Sequence, residues 1–172
     1  MLLYADDFLI VSGRPREALQ EVNNYFPMKA TSIVPTKIYL GAKVGRVQLP
    51  NGVEAYTIIM SQYVQEAVNN VDKYLYDRGL ALLKKALTPM LTNYSPVFEG
   101  SSELNEQEAA FYQSLIEILW WMVEMVRLVI FIEVSAISYF VWMPRQGHFQ
   151  QLLHLFAYLN IHFNDWIVFD SS

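Results

Sequence analysis

Leu3-Tyr4-Ala5-Asp6-Asp7-Phe8-Leu9-Ile10 places two adjacent acids between two apolar arms, Leu2 to Tyr4 and Phe8 to Val11, with Ser12-Gly13 closing the second. That pattern predicts strand, turn, strand, a hairpin with its acids at the tip. Two neighbouring carboxylates on a tight turn repel each other and are costly to keep ionised unless a cation sits beside them. A divalent metal removes the penalty, and sites that clamp phosphoryl or nucleotidyl groups present acids on rigid elements in this way. The alternative is an ordinary Asp-rich turn.

Working outward, Pro15 to Phe26 carries Ala18, Leu19, Val22, Tyr25 and Phe26 at three- and four-residue spacing, an amphipathic helix ending at Pro27. Lys37 to Val44 reads as a strand leading through Val47-Gln48-Leu49 to a Pro50-Asn51-Gly52 turn, with Val53 to Met60 returning. Gly41 within that strand suggests a bulge or a close approach by backbone or ligand. Ser61 is expected to cap a helix with Tyr63, Val64, Ala67, Val68 and Val71 inward, extending to Tyr74 and Leu75; another short helix is expected from Gly79 to Leu87. Thr88 to Ser102 is linker-like.

Beyond it the chain is helical and more apolar. Asn105 and Glu108 form a capping-box pattern, opening a helix through Phe111, Leu115, Ile118, Leu119 and Met122 to about Val126. A break near Arg127 and an apolar element to Met143 precede Pro144, placed in the first turn of a last helix bearing Phe149, Leu152, Leu153, Phe156 and Leu159. Trp166 to Phe169 reads as a strand. The fold class is therefore α+β, with hairpins and a short helix over residues 1–60, a helical region over 61–164 and a terminal connection over 165–172.

The 172 residues suffice for one domain or two small lobes, and 53% hydrophobic with 17% charged residues excludes a disordered chain. No cysteine is present, which excludes disulfides, thiol catalysis and Cys-ligated metal. The amino terminus lacks the basic and apolar regions of a secretory signal, so cytosol or nucleus is expected. The net charge of −5 is uneven: residues 1–50 carry six Lys/Arg and four acids, whereas residues 101–172 carry two and eight. A polyanion would meet the first third. Glu117, Glu124, Arg127 and Glu133 interrupt the apolar run from Leu115 to Met143, which predicts a buried helix pair with an exposed aromatic surface rather than a membrane span. The four tryptophans are expected in the core, and His148, His154 and His162, six and eight apart, share no metal-binding helical face.

Tyr4-Ala5-Asp6-Asp7 resembles the Tyr-x-Asp-Asp box of reverse transcriptases. Tyr39-Leu40-Gly41-Ala42-Lys43-Val44 resembles the primer-grip hairpin, and Ser61-Gln62 with Tyr63-Val64 the start of the thumb. Phe111-Tyr112-Gln113-Ser114-Leu115-Ile116, then Pro144, His148 and Tyr158-Leu159, are similar to thumb helices of copia-type retrotransposon polymerases. The resemblance implies RNA-templated DNA synthesis with Asp6 and Asp7 as catalytic residues and ligands of Mg2+ or Mn2+. It implies a primer–template and dNTPs as partners, Tyr4 beside the primer end, and Tyr39, Leu40 and Gly41 along the primer backbone. Lys37, Lys43 and Arg46 are candidate phosphate contacts or simply solvated charges. In the ancestral element the enzyme would reside in a virus-like particle.

Departures accompany the matches. The family's third carboxylate lies on a strand well upstream of the box, and this chain starts three residues before it, so fingers and first metal-binding Asp are expected to be absent. The missing palm and fingers would then be a partner. Glu117 stands where the family prefers glycine, and Arg127-Leu128-Val129-Ile130 where Arg-Pro-Asp-Ile is usual. The expectation is a polymerase fragment inactive alone; the competing expectation is a non-enzymatic interaction or membrane-associated protein using helices 105–143.

Overall fold

A computed structural model describes residues 2–4, 7–10, 12–29, 33, 35–92 and 94–169, with backbone only at 2–4, 7 and 8. The chain is mixed α/β and divides into two compact units, residues 1–58 with 168–172, and residues 59–167.

In the first unit, β1 (Leu2–Tyr4) pairs antiparallel with β2 (Asp7–Leu9) in the register Leu2↔Leu9, Leu3↔Phe8, Tyr4↔Asp7. Helix α1 (Pro15–Tyr25) begins on a proline whose fixed φ suits a first helical turn. Its apolar stripe is only partly covered: Ala18, Leu19 and Val22 are half-buried, while Tyr25 and Phe26 are exposed.

The expected single strand from Lys37 to Val44 is instead two. Strand β3 (Ile38–Tyr39) folds back through Leu40-Gly41 onto β4 (Ala42–Gln48), with Ile38↔Lys43 and Tyr39↔Ala42 paired. Both turn residues have positive φ, 50° at Leu40 and 84° at Gly41, the handedness that a two-residue hairpin needs. Gly41 therefore makes a turn rather than a bulge. The close approach lies at Gly45, where an added Cβ would stand 2.9 Å from Thr57 Oγ1. Gly52, at φ 81°, closes the next turn into β5 (Glu54–Ile59), and β6 (Trp166–Phe169) completes a four-stranded antiparallel sheet in the order β3-β4-β5-β6.

The second unit opens with α2 (Ser61–Tyr76), which buries Val64, Ala67, Val68, Val71 and Leu75. Ser61 is its first residue and makes no capping bond; Met60 occupies the cap position. Gly79 ends the helix at φ 70°, with the Leu80 N–H bonding back to the Leu75 carbonyl, a closure only a left-handed residue permits. Residues 80–87 then form no helix. Helix α3 (Glu106–Met125) starts with the expected capping box, the Glu108 N–H donating to Asn105 Oδ1 and the Asn105 N–H to Glu108 Oε2. After a single turn of 3-10 helix (Leu128–Ile130) come α4 (Phe131–Ser138) and α5 (Gln146–Ile161). Pro144 precedes α5 instead of occupying its first turn, and Arg145 is the cap residue. Helix α2 packs on α5, and α3 on α4. Leu115, Leu119, Met122, Ile137, Leu152 and Leu155 are fully buried. Among the described residues no helix is long and apolar enough to cross a membrane. The tryptophans are not core: Trp120 and Trp121 are half-buried, Trp142 and Trp166 exposed.

Candidate functional site

The β1–β2 register brings Tyr4 directly opposite Asp7. Ala5 and Asp6 lie outside the described residues. Asp7 is the first residue of the returning strand. Rigid strand backbone on both sides is what a carboxylate needs if it is to meet a cation in fixed geometry.

The β3–β4 hairpin carries the other candidates. Tyr39 and Ala42, a directly opposed pair, are buried, so the Tyr39 ring belongs to the core side of the strand. Leu40 is half-buried, and Gly41 is exposed at the turn apex with nothing within 4 Å of where a Cβ would stand. Lys37 and Lys43 are exposed on the two arms, joined through the neighbouring Val44 N–H to Lys37 carbonyl bond. Arg46 is already engaged: Nη1 donates to Glu54 Oε2 at 3.0 Å and Nη2 to the Tyr56 hydroxyl at 3.2 Å, with the guanidinium over the Tyr56 ring. Its charge is shared with an acid, whereas Lys37 and Lys43 enter no ion pair among the described residues.

Compared with protein-family models, curated proteins and solved structures, the chain matches none. Among the described residues no three His, Asp or Glu side chains converge as a metal group. Asp72 and Asp77 are exposed, and Asp165 is held by Arg127.

Two polar arrangements of the second unit escaped the sequence reading. Arg127 is 2% exposed, its Nη1 3.0 Å from Asp165 Oδ2 in an ion pair not aligned as a hydrogen bond, and its Nη2 donates to the His162 carbonyl. Burial pulls the guanidinium below its usual value, and the Asp165 carboxylate pulls it back. Sequence shows an arginine at a helix break; only the returning turn after α5 shows why it is inside.

The second arrangement runs along α5. His148 Nε2 bonds the Pro96 carbonyl at 3.0 Å while its Nδ1 accepts from the Arg145 N–H; Gln151 donates to Pro89 and accepts from Leu91; His154 bonds the Thr88 carbonyl. The spacing of three residues aligns these side chains on one helix face, satisfying backbone groups that an irregular segment cannot pair itself. The linker-like stretch is thus a strap fastened to α5. Glu99, near its end, accepts from the Ser101 N–H at 2.9 Å, which holds its carboxyl below the usual carboxylate range.

Proposed function

We propose that this chain is the end of the palm and the thumb of a copia-type reverse transcriptase, an RNA-directed DNA polymerase. The observation that carries the reading is the β1–β2 register, in which Tyr4 and Asp7, the first and last residues of the Tyr-x-Asp-Asp pattern, pair across antiparallel strands. Support comes from order along the chain: a tight hairpin at Leu40-Gly41 and then a helical unit follow the box as the resemblance requires.

The hard carboxylate oxygens of Asp6 and Asp7 fit Mg2+ or Mn2+. Such ions stabilise the attacking and leaving oxygens of an in-line nucleotidyl transfer. Asp6 is the principal ligand and Asp7 the peripheral acid; Tyr4 packs beside the primer end. Lys37 and Lys43 neutralise primer phosphates, and Gly41, lacking a side chain, lets the backbone approach the primer. Through these residues the chain binds primer–template.

The test is binding of the chain to an RNA–DNA primer–template across a salt series. Lys37→Ala with Lys43→Ala should reduce the logarithmic salt slope by about 1.8, roughly 0.9 per lost phosphate contact. An unchanged slope, or no salt-sensitive binding, would sink the proposal.

A second reading rests on a different observation: around α4, Leu128, Val129, Ile132, Tyr139 and Trp142 are exposed at 63–88%. Such apolar exposure marks an interaction surface in a non-enzymatic protein. Flotation on neutral lipid vesicles without primer–template affinity would favour it.

A further inference from the structure

Between Asp77 and Glu99 the chain carries Arg78, Lys84 and Lys85 and no acid, within a protein of net charge −5. Leu80 to Leu87 consists of leucine, alanine and lysine, all strong helix formers, yet Gly79 closes α2 just before it and no helix resumes. Ala86, 2% exposed, anchors the stretch, and Leu82 is half-buried. The remaining leucines face outward, Leu80 at 59%, Leu83 at 58% and Leu87 at 82% exposure. Lys84 and Lys85 are exposed beside them and belong to no ion pair among the described residues. Arg78 is committed locally, donating to the Tyr74 carbonyl and lying over the Tyr74 ring.

We propose that residues 80–87 dock on an anionic phospholipid surface, the two lysines on headgroup phosphates and carboxylates and the outward leucines at the acyl boundary. Charge selects the partner's sign. Residues 101–172 carry two basic and eight acidic residues and are repelled by such a surface, so this basic stretch is the part of its unit that can approach it. The leucines select the partner's class. A nucleic-acid backbone would meet the lysines and leave three apolar side chains in water, whereas a bilayer interface takes up both at once. The inference rests on residues 80–87 and uses none of the residues to which the polymerase reading gives a role.

The test is flotation of the full chain with vesicles of phosphatidylcholine alone and of phosphatidylcholine mixed with phosphatidylserine. The chain should float with the mixed vesicles only, and added salt should weaken it. Lys84→Gln with Lys85→Gln should reduce the partition coefficient about 30-fold, from roughly 1 kcal/mol per basic residue near an anionic surface. Leu83→Gln with Leu87→Gln should reduce it at every salt concentration. All four side chains are exposed, and an unchanged far-UV circular dichroism spectrum confirms that the variants fold. Equal flotation with neutral vesicles, as the α4 surface would give, overturns the proposal. So does absence of flotation, or a double-lysine variant that binds mixed vesicles normally while losing affinity for duplex nucleic acid.

Discussion

Arg127 shows how one buried charge can fix a chain reversal. Its guanidinium lies in an apolar unit and meets Asp165 and the His162 carbonyl, both in the turn that follows α5. Removing one partner of such a pair leaves an uncompensated buried charge, which costs more than the pair itself contributes. Asp165 is half exposed, so water recovers part of that loss. Asp165→Asn should therefore lower stability by about 2 kcal/mol in urea denaturation, below the roughly 3–5 kcal/mol of a fully buried pair. Gly41 makes the converse point, because its role is conformational and not steric. At φ 84° with open space around it, Gly41→Ala should cost about 1–2 kcal/mol from the left-handed backbone alone. Denaturation of the variant measures it directly.

At the scale of elements, the strap on α5 depends on close packing at Gly147. A Cβ there would stand 1.7 Å from Glu99 Oε2, and the Gly147 N–H donates to Ser101 Oγ. Gly147→Ala must push the Glu99 carboxylate off the Ser101 N–H, so it should destabilise by about 1–2 kcal/mol. In a Glu99→Ala background most of that penalty should vanish, and a double-mutant cycle reads the coupling. Glu99 also sets a pH dependence. Its folded pKa lies below the ordinary value of 4.5, so its contribution is complete above that value and is lost as pH falls through the lower folded one. Glu99→Gln should accordingly flatten the acid limb of the stability curve and leave its shape near neutrality unchanged.

Some of these elements were legible locally. The Asn105-Glu108 capping box and the Asn51-Gly52 turn each need only residues within hydrogen-bond reach along the chain, so three or four residues suffice to recognise them. The β1–β2 hairpin is legible for the same reason. Leu40-Gly41 misled, because leucine is a poor indicator of positive φ and the run around it is apolar enough for one strand. Leu80 to Leu87 misled in the other direction: helix propensity is worth only tenths of a kcal/mol per residue, too little to outweigh the chain reversal at Gly79.

For the whole molecule, the consequential prediction concerns activity. On the proposed polymerase reading nucleotidyl transfer depends on metal-bound carboxylates, so Asp6→Ala should abolish any magnesium-dependent templated primer extension. Extension that survives Asp6→Ala would overturn that expectation. Sequence alone determined the mixed strand-and-helix composition, the β1–β2 hairpin and the helical second half, since each follows from periodicity or from turn chemistry in a short window. Only the tertiary structure decided that Arg127 is inside, that Arg46 is spent on Glu54, that the strap is fastened by His148, Gln151 and His154, and that three leucines face outward beside Lys84 and Lys85. Those outcomes depend on partners dozens of residues away or on which side of a segment finds a neighbour, and no local pattern carries that information.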